Sequence, residues 1–87
     1  ASAVGIGANS VVLGNNSIVT TALKGKIGIG TTNPQGALDI VSTTGAFIVP
    51  RMTTAQRDAL TAVNGMIIYN TTTNQFNFRE DGAWGLK

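Results

Sequence analysis

Between residues 3 and 30 no aliphatic run passes three residues before a glycine or a polar residue interrupts it, and this limits what that segment can become. Val11-Val12-Leu13 and Ile18-Val19-Thr20 are β-branched pieces of strand length set among Gly and Asn, which admit the positive φ of tight turns. Ile6-Gly7-Ala8-Asn9-Ser10 and Leu13-Gly14-Asn15-Asn16-Ser17 share the order aliphatic-Gly-x-Asn-Ser, and Ile27-Gly28 and Ile29-Gly30 echo its first half. Short strand, turn, short strand is the grammar of a solenoid or an interwoven β-prism. The large aliphatics of residues 1–32 are too few to offset the ordering of that stretch within one chain. Their burial is expected between chains, with residues 1–32 forming a repetitive β shaft in an elongated homo-oligomer. The asparagines of the shaft have two readings, turn residues or inward-facing axial rings.

Composition points the same way. Charged residues make up 11% of the 87, against about 25% in ordinary soluble domains, while the apolar fraction is 43%, which argues against disorder. A chain that avoids charge on this scale is expected to cover its surface with copies of itself. The six basic and four acidic residues are scattered, without the Lys/Arg cluster that a phosphate backbone requires, so no nucleic-acid partner is expected. No apolar run approaches the roughly 20 residues of a membrane span, and no membrane insertion is expected.

Residues 33–87 read as a small α+β knob. Thr31-Thr32-Asn33-Pro34 and Gly36 are turn chemistry, and Leu38 and Ile40 alternate with Asp39 and Val41 as a half-buried strand. Pro50 biases Val49 to extended backbone, so Phe47-Ile48-Val49 is expected to arrive as strand. Thr53 with Gln56 three residues later is a capping box, and Asn64-Gly65 is a stop signal, which together predict one short helix over about 53–62. Ala55, Ala59, Leu60 and Val63 form a narrow apolar stripe expected to dock on the sheet, leaving Arg57 and Asp58 to solvent. Gly65-Met66-Ile67-Ile68-Tyr69-Asn70 reads as strand and 71–74 as a hairpin connection. Phe76 and Phe78 alternate with polar neighbours, Asp81-Gly82 is a type I′ signal, and Ala83-Trp84-Gly85-Leu86 closes a three-stranded meander. Phe76, Phe78 and Tyr69 are expected in the core, with the helix stripe on the Phe76/Phe78 face. The fold class is therefore mainly β: an intertwined trimeric β-fibre or solenoid shaft, then a β-meander knob with one short helix.

The runs GKIGIGTTNP, ALDI, TTGAFIVPRMTTAQRDAL and GMIIYNTTTNQFNF with a terminal GAW resemble a module at the carboxyl ends of bacteriophage tail fibres, over about Gly25 to Trp84. NSVVLGNNSIVTTAL is similar to the YadA-like head repeats of trimeric autotransporter adhesins. The resemblance implies a homotrimeric fibre on a virion surface whose distal part folds the shaft or contacts a host receptor, glycan or protein. Its alternative is a trimeric adhesin head on a bacterial cell surface. Many such fibres continue into a self-cleaving chaperone domain. The sequence stops just after Trp84, so no enzymatic maturation role is expected.

Catalytic chemistry has few carriers. Histidine and cysteine are absent, which removes the usual general base, thiol nucleophile and imidazole or thiolate metal ligands. Glu80-Asp81 sits in a turn, where a glycosidase needs two carboxylates held across a sugar, so a glycan-acting enzyme is a distant alternative. No catalytic residue, metal or cofactor is expected. The glycines at 28 and 30 fit no phosphate-cradle motif. Receptor binding, which favours loops on a rigid scaffold, is expected at Thr72, Asn74, Glu80 and Asp81. Trp84 has hot-spot character and reads equally as core or as a stacking platform. Arg51 is either a solvent-exposed cation or, paired with Asp58 or Asp39 across a chain boundary, a device that fixes trimer register.

Overall fold

In the computed structural model, which describes residues 9–87 and the backbone of Ala3–Val4, the capping box forms as its spacing predicts. Thr53 Oγ1 accepts from Gln56 N at 3.2 Å, and Gln56 Oε1 accepts from Thr53 N at 2.9 Å. These bonds satisfy two amides that a first turn leaves orphaned. They open the single helix of the described residues, α1 (Thr54–Asp58), which closes on Ala59 as its C-cap. The chain divides into two compact units, Ala1–Thr43 and Thr44–Lys87.

The first unit holds two separate two-stranded sheets. β1 (Ala3–Val4) pairs antiparallel with β2 (Val12–Leu13). β3 (Ile27–Ile29) pairs parallel with β4 (Leu38–Ile40), the ladder extended by Ile27 N donating to Ala37 O and Val41 N to Ile29 O. Gly30 ends β3 at φ +77, and a Cβ there would run into the Val41 carbonyl, so only glycine fits this approach. None of the described side chains in this unit is buried.

The second unit is a four-stranded sheet in the order β5 (Arg51–Met52), β6 (Ile67–Asn70), β7 (Gln75–Glu80), β8 (Ala83–Leu86). β5 runs parallel to β6, and β6-β7-β8 is the antiparallel meander the sequence predicts, with β5 added at its edge. Asp81 and Gly82 both take positive φ, 50° and 74°, as a two-residue I′ hairpin demands. Among the described residues the architecture is mainly β with one short helix and no closed barrel.

Four expectations are corrected. Ile18-Val19-Thr20 forms no strand; Val19 is 97% exposed, and nothing in the described chain offers these residues a ladder. Phe47-Ile48-Val49 forms no strand, and the strand proper begins after Pro50, whose carbonyl accepts from Tyr69 N. The helix stops at Asp58 and not near Ala62, because a five-residue segment gains little from propagation once its apolar stripe has no surface to dock on. That stripe is turned the wrong way for the expected packing. Ala55, Ala59, Leu60 and Val63 are exposed, while the Arg57 side chain, 19% exposed, reaches back to the sheet. The Asn15 reading resolves to turn chemistry, its Oδ1 accepting from Ser17 N at 2.9 Å, and Asn9 sits at φ 61. Residues 5–8 of the proposed repeat lie outside the described residues.

Candidate functional site

Strand alternation gives the sheet of the second unit two unlike faces. Ile68, Asn70, Asn77, Arg79 and Trp84 share the face that carries the helix. Ile67, Tyr69, Phe76 and Phe78 share the other, which no element of the unit covers.

The helix-bearing face is closed by polar bonds. Asn70 Nδ2 donates to Thr54 Oγ1 at 2.9 Å and to Asn77 Oδ1 at 3.0 Å, and Asn70 Oδ1 accepts from Thr72 N at 2.9 Å. Arg57 Nη1 donates to the same Asn77 Oδ1 at 2.9 Å. Buried amides with partners on every side hold a geometry where unpartnered ones would break it. Among the described residues Ile68 is the only buried apolar side chain, at 3% exposed, beside Asn70 and Asn77. The expected core of Tyr69, Phe76 and Phe78 therefore gives way to an asparagine hub on the opposite face. Its sequence signal was available: Asn is disfavoured inside strands, and Asn77 sits between two phenylalanines.

On the open face Tyr69 meets Phe76 edge to face at 5.1 Å between centroids, and Phe76 stacks on Phe78 at 6.4 Å. A cavity of about 260 Å³ lies alongside, lined by Phe47, Ile48, Val49, Arg51, Tyr69 and Phe76. Phe47 is 65% exposed and Phe76 38%. Contiguous exposed apolar surface of this kind marks a contact site.

The candidate receptor residues do not form one cluster. Thr72 and Asn74 lie in the β6–β7 turn, where Thr72 Oγ1 accepts from Thr54 N at 3.2 Å and Asn74 takes φ 58. Glu80 and Asp81 lie at the other end of β7, about 17 Å away by strand rise. Trp84 joins the Glu80 end, paired across strands through Arg79. It is half-buried, with the guanidinium carbons of Arg57 and Arg79 at 5.5 and 5.6 Å from its ring centroid, which leaves less ring face for a sugar. Of the two register candidates, Arg51 sits on the open face, opposite Tyr69. Asp58 is engaged on the helix side, 2.9 Å from Arg57 Nη2.

A family model described as the phage tail like trimerisation region matches residues 28–86. The chain belongs to this family. Comparison with curated proteins and with solved structures returned no match. As a phage tail-like trimerisation region, the chain has copies of itself as partners, and the match takes in the β3–β4 pair from Gly28 onward and the whole four-stranded sheet. The adhesin-like segment, residues 3–23, lies outside it.

Proposed function

We propose that this trimerisation region is a structural and adhesive distal part of a phage tail fibre, aligning three chains and presenting them to a host surface receptor. What carries the reading is the family match together with large apolar side chains left open in a single chain, Phe47, Ile48, Ile67 and Val19 among them. Residues 1–32 are the shaft in this reading, their short strand pieces completed by the neighbouring copies. Attachment works through weak contacts repeated three times, where linked sites raise avidity without a strong single one. The hairpin turns 71–74 and 80–82, with Trp84, are the contact points. No catalytic step is involved.

Sedimentation equilibrium of the purified protein tests the assembly. The expected mass is three times the 9.0 kDa of one chain, and melting should depend on concentration. A stably folded single chain at micromolar concentration would end the reading. Attachment is tested by binding to a panel of bacterial cells: Asn74→Gly and Asp81→Gly, which keep the positive φ of their turns, should lower cell binding with the trimer intact, and unchanged binding removes the receptor role of those turns.

A further inference from the structure

The second unit offers two apolar surfaces, and they differ in what surrounds them. One is made by Ala55 on the helix and by Ala59, Leu60 and Val63 after it, all exposed, half of them alanines and next in the chain to the Arg57–Asp58 ion pair. The open sheet face carries Ile67, Tyr69, Phe76 and Phe78, with the Phe47–Val49 segment and its cavity beside them. Its charges stand at the margin. Arg51 is on edge strand β5 at the level of Tyr69 and Phe76, and Glu80 follows Phe76 and Phe78 on the same side at the far end of β7. An apolar centre with charge confined to its border is the anatomy of a protein contact. One cation and one carboxylate at diagonally opposite corners also give a rotated copy unlike charges to meet.

Resting on the trimer reading above, we propose that the occupant of this face is a second copy of the chain: the aromatic face turns toward the threefold axis, and the helix, Trp84 and Val63 lie on the outside. A threefold contact joins two different patches of the same surface and closes after three steps. The open face meets that need, since the Phe47–Ile48 segment and the Tyr69/Phe76 floor lie side by side on it. The Arg57–Asn77–Asn70 network then needs no partner, because each chain closes it alone.

The test compares Phe76→Asp with Val63→Asp by sedimentation, reading local folding from the emission of Trp84, the sole tryptophan, which sits on the opposite face. Phe76→Asp should raise the concentration of half-dissociation about 100-fold or more with Trp84 emission kept. Val63→Asp should leave the trimer intact. A second measurement covers misfolding of the aspartate variant. The chain has no cysteine, so Ile48→Cys and Val63→Cys give unique thiols, and a short bis-maleimide should link Cys variants at 48 into covalent pairs and those at 63 into none. A trimer that survives Phe76→Asp, dissociates with Val63→Asp, or cross-links only through position 63 overturns the face assignment while trimerisation stands. A wild-type chain that sediments as a monomer overturns the trimer reading itself.

Discussion

The two units of this chain solve the same shortage in different ways. Both expose most of their large aliphatics, yet the second holds a continuous four-stranded sheet while the first holds two separate pairs of strands. The difference is not apolar burial, which comes to Ile68 alone among the described residues. It is that Asn70, Asn77, Thr54 and Arg57 bond to one another across strand and helix, whereas in the first unit Asn15 bonds to Ser17 and Asp39 to Gln35, two and four residues away. Local bonds shape turns. Bonds across elements fix a sheet, so the second unit should keep its form when copies separate and the first should not.

The sharpest way to break this contrast is Asn77→Leu, which strands Arg57 Nη1 and Asn70 Nδ2 at a buried position. It should cost about 3 kcal/mol, read as a lower urea midpoint of Trp84 emission; an unchanged midpoint would remove the hub. Gly30→Ala strikes only the first unit, forcing a Cβ at φ +77 against the Val41 carbonyl. A loss of about 2 kcal/mol is expected there, seen as faster hydrogen exchange at the Val41 and Ile27 amides with β6 and β7 unaffected. Exchange rates that rise equally in both units would mean the two are not independent. Thr53→Ala removes the cap and should cost about 1 kcal/mol, confined to the helix and its bonds to Asn70. Smallest is Asp58→Asn, since Asp58 is 59% exposed and its pair with Arg57 is a surface one. A change within about 0.5 kcal/mol is expected, and a larger one would show that Asp58 holds Arg57 in place for Asn77.

What the sequence revealed was chemistry held by neighbours in the chain. Thr53 with Gln56 and Asp81 with Gly82 act within three residues, and both formed as read. The strand of Gly65 to Asn70 emerged as Ile67–Asn70 because β-branched residues need only a pleated surface. Helix orientation was not legible, because the stripe of Ala55, Ala59, Leu60 and Val63 was assumed to find its burial within one chain. The Arg57 guanidinium docks on the strand asparagine Asn77 instead, and the stripe goes outward. Ile18-Val19-Thr20 failed for a related reason: strand propensity without a ladder partner makes no strand, and the Ile18 amide goes to the Asn15 carbonyl of the preceding turn. The candidate site was half legible. The turns stand where the sequence put them, but their placement at opposite ends of β7 depends on a register that the letters do not state.

The order of the strands carries a consequence for time. β6-β7 and β7-β8 are hairpins between sequence neighbours, which close in about 1–10 μs, while the parallel β3–β4 and β5–β6 pairs must wait for a crossover. Each newly made copy therefore meets its companions with the sheet of residues 67–86 already shaped and residues 9–26 still searching. On these rates alignment is expected at that end first, spreading toward residues 9–26 as a zipper does from its box.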